Sequence, residues 1–285
     1  MRPGRTACTV QSMRSRPSTF AASAFLTAAL ALSTNASWAS APSSANAAFD
    51  TYVRTVEARI AAQHASGVRF IALPPTAQSQ QKGPAIERIA VPQLPGAMLH
   101  HWRATQFVPG ATAADLDRLL RNYSRYAALF APQVEQAKAI AAPQGRFHVS
   151  MRVRQHHAIT VVLDTDYDVT FSQLDPQHRY STSRSTQIRE IDAPGTPSEH
   201  ALAPGQEHGF LWRQNTYWSY EERAGGLYVQ VESVSLTRSV PTGLGWAIGP
   251  YIESIPRDSL EFTLRCICLG LQKENPHRAH GGLHE

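Results

Sequence analysis

The chemically most suggestive stretch of this sequence is Phe210–Glu221 (FLWRQNTYWSYE). As a strand it would place Phe210, Trp212, Gln214, Thr216, Trp218 and Tyr220 on one face, because successive side chains point to opposite sides. Large aromatics interleaved with a few hydrogen-bonding groups suit a pocket for an amphipathic ligand, and they suit a plain core face equally well. In the preceding segment Tyr180–Ile191, an inward Tyr180 and Ile188 would carry Arg184 inward with them. A buried arginine needs an acidic or ligand partner, so Arg184 is a candidate anchor for an anionic head group. A register slip would instead turn it to the outer face.

The glycine-rich apolar segment Pro241–Ile252 (PTGLGWAIGPYI) adds a third candidate. Its G-x-G-x-x-x-G spacing is not the dinucleotide fingerprint, and its prolines fit a loop. Trp246, Ile248, Tyr251 and Ile252 could gate a cavity or touch a membrane surface from Gly243–Ile252, or pack across the open end of a sheet.

Other constellations are weaker. Asp164-x-Asp166-x-Asp168 lacks the Gly and Glu that a calcium loop needs, with Val169 and Asp175 in their places. A hairpin about Ala158 would set Arg152 opposite Asp164 and His148 opposite Asp168, a ladder of ion pairs. His100-His101 and His156-His157 are adjacent strand residues that face opposite ways and cannot converge on one metal. His277, His280 and His284 lie in a glycine-containing tail. Cys266 and Cys268 are two apart on a helical pattern, which disfavours a bridge and leaves them as small core hydrophobes. No G-x-S-x-G or Cys/His pair stands out, so no catalytic residue, metal or cofactor is assigned.

The elements that must position these residues follow from periodicity. Ala48–Gln63 has apolar residues at helical spacing, Val68–Leu73 reads as a short strand, and Thr76–Pro84 reads as a polar linker. A main domain begins near Gly96, so residues 40–96 form an N-terminal helix and linker, 97–272 the domain, and 273–285 a disordered tail. The domain opens with a strand over Met98–Val108 and a helix capped by Thr112 with Asp115 three residues on. A short helix follows around Tyr126–Phe130. Six strands come next: Val134–Ile140, Phe147–Gln155, Thr160–Leu174, Tyr180–Ile191, Phe210–Glu221 and Leu227–Arg238. A final helix begins at Ser254 with Pro256 in its first turn. Its stripes Leu260, Leu264, Ile267, Leu271 and Phe262, Cys266, Leu269 predict a buried helix.

The order β-α-α-β6-α predicts an α+β fold, a curved antiparallel seven-stranded sheet wrapped around the last helix. Leu119-Leu120-Arg121-Asn122-Tyr123-Ser124-Arg125-Tyr126 with Pro132-Gln133-Val134 resembles the two-helix segment of the START-like, or Bet v 1-like, superfamily (SRPBCC). Asn122 stands where that pattern has an acid. Ile255–Glu261 is similar to the start of its C-terminal helix. The resemblance spans roughly residues 98–271 and implies a helix-grip fold with an apolar cavity. The superfamily includes polyketide cyclases and lipid-transport proteins, and the resemblance implies no shared catalytic set.

Charge locates the chain. The formal net charge is +5, with 27 Lys and Arg against 22 acids. Four of the arginines (Arg2, Arg5, Arg14, Arg16) precede the apolar run Phe20–Leu32, and small residues at Ser37 and Ala39 follow. That reads as a secretory signal, residues 1–39, cleaved near Ala39, with a retained membrane anchor as the alternative; translation starts at Met1 or Met13. The remainder is close to neutral, which removes the case for nucleic acid as a partner. The expectation is a periplasmic or secreted, non-enzymatic carrier of a hydrophobic or amphipathic small molecule, lipids included. Its expected contacts are Arg184, Trp212, Gln214, Thr216, Trp218, Tyr220 and Trp246. The alternatives are a cyclase- or hydrolase-type enzyme in the same cavity, with Tyr220, Arg184 or a histidine as acid or base, and a structural envelope protein without ligand.

Overall fold

A computed structural model describes residues 40–66, 70–71, 83–156, 159–239 and 245–274, with the side chains of 245–253 left aside. The signal segment, most of the proposed linker and the histidine-containing tail lie outside the described residues. Alternation of apolar and polar residues produces β1 (Ala85–Arg88), β2 (Ala97–Pro109), β3 (Val134–Ala142), β4 (Arg146–His156), β5 (Thr160–Gln173) and β6 (His178–Asp192). It continues in β7 (His200–Ala201), β8 (Arg213–Arg223) and β9 (Gly226–Arg238). These form one antiparallel sheet in the order β1-β2-β9-β8-β6-β5-β4-β3, with β7 off the edge of β6. The first long strand pairs with the last, the β-α-α-β6-α order holds, and the architecture is the expected α+β helix grip. Two short strands, β1 and β7, exceed the seven foreseen.

Among the described residues the helices are α1 (Ser43–Ala65), α2 (Ala113–Arg121), α3 (Tyr126–Leu129) and α4 (Gly245–Glu274), with a 3-10 turn at Tyr123–Arg125. Thr112 and Asp115 form the reciprocal capping box of α2, satisfying two otherwise orphaned backbone donors. Helix α4 begins nine residues before Ser254 and passes through Pro250 and Pro256, so Gly245–Ile252 is helix rather than loop. Glycine and proline signals are weak priors that the surrounding fold can override. Phe70 and Ile71, read as part of a strand, lie instead in a bend.

The concave face buries Leu260, Leu264, Ile267 and Leu271 of α4 against Leu116 and Leu119 of α2, Tyr167, Val169 and Phe171 of β5, and Leu227, Val229 and Val231 of β9. A Cβ on Gly270 would lie 3.0 Å from Leu129 and 3.1 Å from Leu119, so its absence lets α4 close tightly on α2 and α3. That contact seals one end of the groove between helix and sheet. At the other end, β9 stops at Arg238 and α4 starts at Gly245.

The convex face is covered too. Phe49, Val53 and Val56 of α1 pack on Leu99 of β2, Tyr217 of β8, and Val234 and Leu236 of β9. Helix α1 is therefore a third layer of the fold rather than a tether. The long connection from β6 to β8 is fastened by Glu190, whose carboxylate accepts backbone N–H bonds from His208 at 2.7 Å, Gly209 at 2.9 Å and Phe210 at 2.8 Å.

Candidate functional site

The register assigns every candidate side chain to a face. Strand β8 begins at Arg213, so Phe210 and Trp212 precede it. Phe210 is exposed, and Trp212 packs with the α1 cluster on the convex side. Gln214, Thr216, Trp218 and Tyr220 share the concave face, as the contact of Trp218 and Tyr220 with the α4 core shows. Four of the six alternate residues thus come together and two do not. The alternation stops where the loop ends.

Arg184 faces the other way. Its guanidinium holds Glu57 of α1 at 2.8 Å on the convex side. The reason is an extra residue: Asp166 pairs with Gln187 but Tyr167 with Ser185, leaving Thr186 unpaired. Such a bulge flips side-chain parity, so Ile188 and Arg184 lie on opposite faces. The inward arginine is Arg179, 3.6 Å from Asp117, with its Nε buried and without a partner among the described residues. Trp246 lies on the backbone of α4, and its side chain is not among those described.

Tyr220 is fully buried and donates to Asp117 at 2.6 Å, so it belongs to the sealed end and not to a ligand surface. Burial, and then the bond to Asp117, push its phenol well above the usual tyrosine range. An acid or base role for it is disfavoured on that ground. Arg121 binds the other Asp117 oxygen at 2.7 Å and lies over the Phe171 ring at 4.2 Å. Two guanidiniums, those of Arg121 and Arg179, thus share the single Asp117 carboxylate at this end, which leaves an excess of one positive charge there.

The concave face changes character along its length. From the sealed end, β9 presents Leu227, Val229, Val231, then Ser233 and Ser235; β8 presents Tyr220, Trp218, Thr216 and Gln214. Thr216 pairs with Ser233 and, on its other side, with Ser183; Gln214 pairs with Ser235. On β2, Trp102 lies opposite Ser233 and His100 opposite Ser235. Tyr167 donates to Oε1 of Gln214 at 3.1 Å, and Gln214 Nε2 donates to Ser233 at 3.4 Å. Burial pushes the Tyr167 phenol up to about 12, so it stays a protonated donor. Trp102, Met151, Gln214, Thr216 and Trp218 remain only partly buried here. Hydroxyls at one end and an aliphatic core at the other, with tryptophans between, make an amphipathic surface.

The convex face carries a polar network that the sequence did not reveal. The Tyr52 hydroxyl lies 2.8 Å from His101 Nδ1, and His101 Nε2 lies 2.9 Å from Oε2 of Glu232. Arg59 of α1 meets the same carboxylate at 2.5 Å, with Arg103 at 3.7 Å. Burial raises the Glu232 carboxyl, but the His101 hydrogen bond and the Arg59 and Arg103 charges outweigh it and hold the group below its ordinary value. His64 lies between Phe70 and Tyr180 with Nε2 2.9 Å from the Ser219 hydroxyl. Burial depresses its imidazole to about 4, keeping it neutral. The order Tyr–His–Glu has the form of a proton relay. Burial raises its terminal phenol, however, the opposite of what a nucleophile or base requires.

The ladder foreseen on β4 and β5 is present: Arg152 holds both oxygens of Asp164, at 2.7 and 2.8 Å, and His148 meets Asp168 at 2.6 Å. Among the described residues no cluster of three or more His, Cys, Asp or Glu is arranged to hold a metal ion.

No family model matches the chain, and no curated protein matches it. Among solved structures it is similar to a Thermus thermophilus protein at 13% identity, covering 60% of this chain and 97% of that one, with a TM-score of 0.43. The Zhui aromatase/cyclase of Streptomyces sp. R1128 gives 16% identity, 66% and 100% coverage and a TM-score of 0.41. A STAR-related lipid transfer protein of Xanthomonas axonopodis gives 17%, 67% and 99%, and 0.41. At these identities the likeness is one of fold alone.

Proposed function

We propose that the chain is an exported, non-enzymatic carrier that holds a hydrophobic or amphipathic small molecule against the concave face of its sheet. The observation that carries this reading is the contrast in burial across β8. Tyr217 and Asn215 are sealed beneath α1, whereas Trp218, Thr216 and Gln214 are aligned yet partly uncovered toward α4. An aromatic strip ending in hydroxyl and amide groups binds by area and orients by a few hydrogen bonds. Export rests on the sequence: the arginines before Phe20, the apolar run to Leu32 and the small residues around Ala39.

The test is native mass spectrometry of the full-length precursor expressed in a Gram-negative host and recovered from the periplasm. A chain beginning near Ser40 with a retained small-molecule mass is expected. A ligand-free chain that also takes up no lipid extract would overturn the carrier reading, and a full-length chain retained in the cytoplasm would overturn export.

A further inference from the structure

Resting on the carrier reading, the concave face also indicates which class of molecule it takes. We propose that the bound molecule carries an uncharged polar group, a hydroxyl or carbonyl, placed at the α4 N-terminal end, with its apolar body over Trp102, Met151 and Trp218. The groups gathered at that end are the Tyr167 phenol, the Gln214 carboxamide, the Thr216, Ser233 and Ser235 hydroxyls and the His100 imidazole. Tyr167, Gln214 and Ser233 are joined in one chain of hydrogen bonds, which sets the carboxamide as a donor–acceptor fork beside the strand.

Charge is handled elsewhere. Arg184, the one residue whose sequence position suggested an anion anchor, is committed to Glu57 across the sheet. Arg179 and Arg121 are inward but share Asp117 at the sealed end, behind Trp218 and Tyr220. A carboxylate brought to the hydroxyl-lined end would lose water and meet hydroxyl, carboxamide and imidazole groups, with neither a lysine nor an arginine among the groups named there. A neutral carbonyl or hydroxyl exchanges its water bonds there at little net cost.

A matched pair of fluorescent probes tests this: cis-parinaric acid and its methyl ester, titrated into delipidated protein at pH 7.5. The ester is expected to bind roughly tenfold or more tightly than the acid. Gln214→Lys, placed where the polar group should lie, is expected to move that preference toward the acid, with the circular dichroism spectrum unchanged as the folding control. Thr216→Lys serves the same purpose should Gln214→Lys not fold. Binding of the acid equal to or tighter than the ester would overturn the neutral-ligand proposal while leaving the carrier reading standing. A preference unmoved by either folded lysine variant would overturn the placement. If neither probe binds, the carrier reading itself falls.

Discussion

The two faces of the sheet solve the same burial problem with opposite chemistry. The concave face meets α4 through aliphatic side chains, Leu260, Leu264, Ile267 and Leu271 among them. The convex face meets α1 through a smaller apolar patch and a set of buried ions and hydrogen bonds centred on Glu232, which is 3% exposed, and His101, 2% exposed. Non-directional packing tolerates an imperfect fit, and so it can leave part of a groove unfilled. A buried charge network tolerates almost none, because each member needs its partners. The difference teaches that the carrier reading can apply to the concave face and not to the ion-filled convex one.

The most damaging way to break that contrast is to strike each face at its centre. Leu264→Ala removes a fully buried side chain on the concave side and should cost about 3–4 kcal/mol in urea unfolding. Glu232→Ala should cost about 3 kcal/mol, since buried His101 then remains beneath α1 without its acid and Arg59 loses its carboxylate partner. A loss below about 1 kcal/mol for Glu232→Ala would show that α1 is held by its apolar patch alone.

Acid separates the faces next. His64 is depressed to about 4 from an ordinary value near 6.5, so the unfolded chain takes up a proton that the folded one refuses. Stability should therefore fall as pH drops from about 6.5 toward 4, measured as the urea midpoint, and level off below the folded value. His64→Gln should flatten that slope, whereas Leu264→Ala should lower the whole curve and keep its shape. The smallest effect belongs to Arg184→Ala. Its ion pair with Glu57 is half exposed, so less than about 1 kcal/mol should be lost and probe binding should not change.

Much of the fold was legible because the strands alternate cleanly and the turns between them are marked. The predicted Thr160–Leu174 and Leu227–Arg238 differ from β5 and β9 by one residue at one end. The cross-strand pairs Arg152–Asp164 and His148–Asp168 could be placed because that hairpin has no bulge. Arg184 could not, since an unpaired Thr186 has no signature in residue type and reverses everything beyond it. The ion network beneath α1 was invisible for a different reason. Arg59 and Glu232 are 173 positions apart, and no local pattern links a helix to a strand it meets only in three dimensions. Trp212 shows the same limit in miniature, placed on the other face because its strand begins one residue later.

That separation also sets an order of events during synthesis. Helix α1 leaves the ribosome early, yet apart from β2 the strands that receive it come more than a hundred residues later: Tyr180 and Arg184 in β6, Tyr217 and Ser219 in β8, Glu232, Val234 and Leu236 in β9. Until those arrive, Phe49, Val53 and Val56 have only β2 to cover, and closure over so long a span is slow. The first of the described helices is then among the last pieces to dock, and its arrival marks completion of the sheet.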